Sequence, residues 1–189
     1  MIGSIKNGLG IVVRRLRQQG LRTTLIWAYG RGVPYVTGTP ILRFSRVTPL
    51  VYVGPQFRKS GRSMLQQEGF KHLVNLRFGF DDAEHGLELE SYCHLPTVDE
   101  TAISAEHLKR GIKFIHDAVE RGEKVYIHCS AGVGRAPTLV AAYFISQGMA
   151  LADALSLVKR VRPFINIMPP QMEQLRALET ERAAGAKVR

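Results

Sequence analysis

The sequence predicts an α/β fold with a central, mostly parallel sheet flanked by helices. Strands alternating with helices from about residue 44 onward argue for it. So does the stretch Val125–Pro137, where a β-branched run enters a glycine-rich turn and then a helix. The 189 residues, 45% of them hydrophobic, suffice for one domain with a substantial core.

Residues 1–40 read as a basic N-terminal amphipathic segment, followed by the main domain over 41–189. Leu9, Val12, Val13 and Leu16 fit one helical stripe, with Arg14, Arg15 and Arg17 elsewhere around the helix. Such a helix either packs on its own domain with a solvated basic face or lies on a membrane surface. Gly30, Gly32 and Pro34 predict a break after it. In the main domain, strands are expected at 50–53, 72–76, 92–95 and 124–128, and a helix at 60–69. Residues 79–90, with Asp81 and Asp82, read as an acidic loop or short helix whose carboxylates are plain loop charges. A helix over 104–121 opens on a Ser104 cap and stops at Gly122. Three more follow at about 137–147, 151–161 and 170–183, with Pro137 at the first helical position of its helix.

The net charge is +10, and its placement is uneven. The first acidic residue is Glu68; residues 1–67 hold eleven basic ones and carry +11, while the remaining 15 basic and 16 acidic residues leave −1. The basic excess therefore belongs to the N-terminal third and implies an anionic partner, such as the lipid headgroups of a membrane surface, nucleic acid or an acidic protein. No recognisable nucleic-acid-binding module accompanies it, so nucleic acid is not expected. No apolar run reaches the ~18–20 residues that span a bilayer, and arginines interrupt anything like a signal peptide. The two cysteines suggest a reducing cytosol rather than a disulfide framework. A cytoplasmic protein, peripheral to a membrane, is the expected setting.

The chemistry concentrates in 125–137. A strand, a loop of small residues and a helix N-terminus make an anion site, because the backbone N–H groups of Ser130, Ala131, Gly132, Val133, Gly134 and Arg135 can converge on one point. Gly132 and Gly134 are expected to let the backbone approach closely and adopt positive φ. A thiol at the base of such a bowl, Cys129, is a ready nucleophile for phosphorus. Arg135 offers a planar fork for two phosphate oxygens. The leaving group needs a proton, and Asp99, 30 residues before Cys129 and just past a strand end, is the candidate donor. The histidines show no metal-ligand spacing, so neither metal nor cofactor is expected. Cys93 is either a core cysteine or a resolving thiol for oxidised Cys129.

His128-Cys129-x-x-Gly132-x-x-Arg135 resembles the signature loop of the cysteine-dependent protein tyrosine phosphatases, and its flanks resemble the dual-specificity branch. The resemblance covers roughly 44–180 and implies the protein-tyrosine-phosphatase-like fold. It also implies that Cys129, Arg135 and Asp99 are catalytic and that His128 orients the cysteine. The family places Ser or Thr directly after the loop arginine; Ala136 stands there in this chain, which implies slower hydrolysis of a phosphocysteine intermediate. Dual-specificity action on phosphotyrosine and phosphoserine/threonine is the expected activity. The basic N-terminus, Thr97-Val98-Asp99 and the helix Val140–Ile145 are similar to phosphatidylglycerophosphate phosphatases of the same superfamily, so a phospholipid is the second reading. The loop interior Ser130–Gly134 lacks the lysine or arginine that would hold extra phosphates, which favours a singly phosphorylated substrate. A non-catalytic phosphate-binding module is the third reading, but such modules lose the cysteine, the arginine or the acid, and all three are present.

Overall fold

A computed structural model describes residues 2–186; the side chains of residues 1–15, 18, 19 and 186–189 lie outside that description. The elements are α1 (Ile2–Thr37), β1 (Val51–Gly54), α2 (Lys59–Gln67), β2 (Phe70–Arg77), β3 (Ser91–Thr97), α3 (Ala105–Glu120), β4 (Lys124–His128), α4 (Arg135–Ser146), α5 (Leu151–Val161) and α6 (Pro169–Ala186).

The strands form one sheet in the order β1-β4-β2-β3, and every pair is parallel. Alternation along the strands fills two cores. Val53, Val74, Leu76, Leu95 and Ile127 meet Ile115, Leu139, Val158 and Leu175 of α3 to α6. Tyr52, Leu73 and Tyr126 meet Phe57 and Leu65 at α2 on the other side. Parallel strands end on the same edge of the sheet, so the segments after Gly54, Arg77, Thr97 and His128 all open there.

The caps of α3 form as the sequence expects. Ser104 Oγ accepts from His107 N at 3.2 Å. At the other end Gly122 takes φ 69°, and Gly122 N and Glu123 N donate to Val119 O and Ala118 O. The acidic stretch contains one 3-10 turn, Ala83–His85. The helix after the phosphate loop starts at Arg135, not 137, so Pro137 is its third residue, still inside the first turn where no backbone donor is required.

The N-terminal segment departs from expectation. The helix does not break at Gly30–Pro34; it runs to Thr37, and its non-helical residue is Gly20, at φ 79° and ψ 168°. Gly30 serves packing instead. A Cβ there would lie 3.3 Å from the Phe164 ring, so glycine lets α1 approach the domain. The helix ends at Gly38, whose N donates to Pro34 O at 2.9 Å. The stripe Leu9-Val12-Val13 lies outside the described side chains.

Candidate active site

Strand β4 delivers Cys129 to the sheet edge, and the chain from Ser130 to Gly134 wraps a bowl above it before entering α4. The carbonyls of that loop are all tied outward. Ser130 O accepts from Gln56 N at 3.2 Å, and Val133 O from Asn166 N at 2.7 Å. Arg162 donates from Nη2 to Ala131 O at 3.2 Å, from Nε to Gly132 O at 2.9 Å, and from Nη1 to Phe44 O at 2.9 Å. A peptide unit that points its C=O out points its N–H in, so this anchoring turns the amides toward the bowl. Arg162 is 1% exposed, and burial pushes its guanidinium down to about 10, which leaves it protonated at neutral pH.

Gly132 is required twice over. Its φ is 65°, and a Cβ would lie 2.4 Å from the Gly54 carbonyl carbon and oxygen. Gly134 has φ −119°, and a Cβ there would meet nothing closer than 3.4 Å, so the expectation of positive φ fails at that position.

Cys129 is 2% exposed, at the bottom of the bowl. Arg135 is buried, and its Nη1 is fixed by Leu76 O at 3.2 Å and Thr97 O at 2.8 Å. Its Nε lies 2.9 Å from Asp99 Oδ1, but off the N–H axis, so the contact is an ion pair rather than a directed hydrogen bond. The Asp99 side chain is 70% exposed. Cys129, Arg135 and Asp99 thus meet at one opening, with Asp99 against an edge of Arg135 that a phosphate oxygen could take.

His128 is wholly buried, and its Nε2 lies 2.7 Å from Asp82 Oδ2, also wholly buried. Asp82 Oδ1 accepts from Gln56 Nε2 at 2.8 Å, and Gln56 Oε1 accepts from Arg77 at 3.1 Å. Burial alone would raise the Asp82 carboxyl; the His128 contact, the Gln56 bond and the Arg77 charge outweigh it and hold the group below its ordinary value. Asp82 is therefore no loop charge: it braces His128, the residue before Cys129. Asp81 accepts from Tyr92 Oη at 2.6 Å and lies 3.1 Å from His94 Nδ1. No pattern along the chain pairs residue 82 with residue 128; folding the loop after β2 beneath β4 does.

Ala136 is buried with no hydroxyl to offer, and Thr138 Oγ1 donates to Gly134 O at 2.9 Å, so it is spent within the first helical turn. The resolving-thiol reading of Cys93 also fails. Val74 of β2 pairs with Cys93 on one side and Ile127 on the other. Cys93 is thus two strands from β4, roughly 10 Å, and Cys129 lies two residues beyond Ile127, roughly 7 Å further along. That places the two Cα atoms about 12 Å apart, beyond the ~7 Å limit for a disulfide. Among the described residues no group of three or more His, Cys, Asp or Glu could hold a metal ion.

Residues 51–181 match the family described as "Dual specificity phosphatase, catalytic domain". The chain belongs to that family. Among curated relatives, the chain is 31% identical over 163 residues to dual specificity protein phosphatase 19 of Mus musculus, covering 84% of this chain and 74% of that one. It is 28% identical over 153 residues to phosphatidylglycerophosphatase and protein-tyrosine phosphatase 1 of Homo sapiens, covering 76% of each. It also matches Slingshot homolog 3 of Rattus norvegicus, but spans only 21% of that protein's length. Among solved structures, PTPMT1 in complex with PI(5)P superposes with a TM-score of 0.65 at 26% identity, covering 75% of this chain and 97% of that one. A cysteine-based phosphatase is thus established at the level of the family, which spans protein and phospholipid substrates.

Proposed function

We propose that this phosphatase hydrolyses phosphate monoesters through a phosphocysteine intermediate and acts on phosphotyrosine and phosphoserine/threonine in proteins. The outward anchoring of the Ser130–Val133 carbonyls around Cys129 carries the reading, because it leaves inward N–H groups sized for one phosphate. No second cation lines the loop interior, which favours a singly phosphorylated substrate.

In this reading the bound phosphate takes the Nε edge of Arg135 and frees Asp99. The Cys129 sulfur, as thiolate, attacks phosphorus; the P–O bond to the leaving group breaks, and Asp99 gives that oxygen its proton. Water then attacks the phosphocysteine with Asp99 accepting its proton, the S–P bond breaks, and phosphate leaves. The inward amides and Arg135 stabilise the charge on the equatorial oxygens in both steps. His128, held by Asp82, positions the strand end that carries the sulfur.

With no hydroxyl at 136 and Thr138 committed to Gly134 O, the departing thiolate lacks one donor in the second step. A hydrogen bond to a charged group is worth ~1.5–3 kcal/mol, so that step is expected to be slower by about 10–150-fold. Stopped-flow with a good aryl phosphate is expected to show a burst, and Ala136→Ser to shrink it and raise steady-state turnover. A trace linear from the first millisecond in both proteins would show that another donor fills the role.

Phospholipid phosphate is the second reading, favoured by the similarity to the phosphatidylglycerophosphatase. A phosphate-release panel of phosphotyrosine and phosphoserine peptides, phosphatidylglycerophosphate and phosphoinositides separates the two. Release from both peptide classes is expected. A kcat/KM confined to lipid would replace the first reading with the second.

A further inference from the structure

The outer face of α1 beyond Gly20 is apolar, not basic. At 3.6 residues per turn, Leu21, Leu25, Ala28, Tyr29, Gly32, Tyr35 and Val36 fall within an arc of about 120°, and all seven are exposed. Leu21 is 66% exposed, Leu25 60% and Val36 77%. Charges flank this strip without entering it: Arg22 borders one side and Arg31 the other. The opposite face, with Gly30 and Pro34, is buried against the domain, so the helix is fixed with its apolar strip outward.

Beside the strip, toward its N-terminal end, lies a pocket of about 580 Å³ with four arginines on its walls: Arg22 of α1, Arg43 and Arg46 ahead of β1, and Arg160 of α5. Ile26 and Val47 supply apolar lining, and no acidic residue lines the pocket. All four arginines are exposed, and none makes an ion pair or side-chain hydrogen bond with a described residue. Four uncompensated guanidinium groups around one pocket attract an anion, and their planar forks suit phosphate oxygens.

We propose that this combined surface docks on an anionic phospholipid bilayer, with the α1 strip lying in the interface and the four-arginine pocket taking a lipid phosphate headgroup. An apolar strip alone would suit a protein partner equally, but the charge decides. The first 67 residues carry eleven basic and no acidic side chains, and the pocket places three of those charges and Arg160 beside the strip. Interfacial helices combine an apolar face with flanking arginines in this way and lie on a membrane rather than span it. Among the described residues no helix is long and apolar enough to cross a membrane. The pocket is separate from the phosphate loop; Arg162, next in sequence to Val161 of the pocket wall, faces the loop carbonyls instead. The proposal does not depend on which substrate the active site takes.

Vesicle co-sedimentation of the full chain tests it, using phosphatidylcholine vesicles with and without phosphatidylglycerol. Binding is expected to need the anionic lipid and to weaken as salt is raised. Arg43→Gln with Arg160→Gln removes two charges near the surface and is expected to weaken binding about 25-fold. Leu25→Glu is expected to weaken it about tenfold or more, because it puts a charge into the strip. Both variants change exposed side chains outside the active site, so each should keep wild-type turnover of a soluble aryl phosphate and wild-type thermal melting. Wild-type vesicle affinity in both variants would overturn the proposal, as would failure of the unaltered protein to bind anionic vesicles at low salt. A wild-type dimer in solution that Leu25→Glu dissociates, with no vesicle binding, would assign the strip to a second copy of the chain instead.

Discussion

The loop above Cys129, the proposed phosphate cradle, and the loop that carries Asp99, the proposed acid, face one opening, but they are held very differently. Each carbonyl from Ser130 to Val133 accepts a hydrogen bond from a neighbouring element, and the largest contributor is the fully buried Arg162. Asp99 is 70% exposed, its ion pair is with Arg135, and the next residue, Glu100, sits at φ 65°, a region costly for a non-glycine residue. The difference teaches a division of labour. The anion site must be preorganised, since donors that reorganise during reaction lose their advantage. In the proposed mechanism Asp99 must leave Arg135 to deliver its proton, so a tightly bonded Asp99 would be a poor acid.

The largest effect should come from the buried half. Cys129→Ser is expected to abolish turnover while retaining phosphate and tungstate binding by calorimetry, because the amides and Arg135 remain. Loss of both together would mean that the sulfur holds the loop in shape. Arg162→Ala should cost about 3–5 kcal/mol in urea unfolding, since it strands the buried Gly132 carbonyl and the half-buried carbonyls of Phe44 and Ala131. Arg162→Lys should recover only part of that, because an ammonium cannot serve the three carbonyls as a planar fork does. An unfolding midpoint near wild type in Arg162→Ala would show that the loop holds its shape without the anchor.

The exposed half should behave in the opposite way. Asp99→Asn is expected to leave stability within about 0.5 kcal/mol, as surface substitutions do. Turnover of substrates with poor leaving groups should fall by about 10²–10³. An activated aryl phosphate should lose far less, and phosphate should bind more tightly because Arg135 loses a competing carboxylate. An equal loss on both substrates would make Asp99 structural and erase the contrast between the loops.

Asp82 sharpens the comparison from beneath the nucleophile. Asp82→Asn should cost about 1.5–3 kcal/mol at pH 7, the worth of hydrogen bonds to a charged group. Its wild-type carboxyl is held below the ordinary 3.8. That stabilisation is complete above about pH 4 and is lost as pH falls through the depressed value. Unfolding midpoints between pH 7 and 3 should therefore fall more steeply in wild type than in Asp82→Asn. Parallel curves would show that the His128–Asp82 contact does not couple to folding.

Much of this molecule was legible from the chain alone. Short apolar runs bounded by turn residues gave the four strands within two or so residues, because strands of a parallel sheet are buried on both faces and read as continuous apolar stretches. Cys129, Arg135 and the small residues between them lie within seven positions, so their convergence is a local matter of strand, turn and helix. Asp99 was placed by its position after a strand end, and a parallel sheet brings such ends to one edge. The family resemblance added the expectation that these parts work together.

What only the tertiary structure decided are the partners distant in sequence. Arg162 reaches back 30 residues to Gly132 and 118 to Phe44, and Asp82 lies 46 residues before His128. No periodicity encodes such pairs, because they depend on how separate elements pack. Cys93 was excluded as a redox partner by the strand order, which sets β2 between the two sulfurs. Gly30 and Gly134 carried a conformational reading in the sequence, yet neighbours in space assign Gly30 to close packing on Phe164 and leave Gly134 unstrained. The direction of the α1 apolar strip was decided the same way. An amphipathic pattern fixes that two faces differ, and only docking through Gly30 and Pro34 fixes which one meets the solvent.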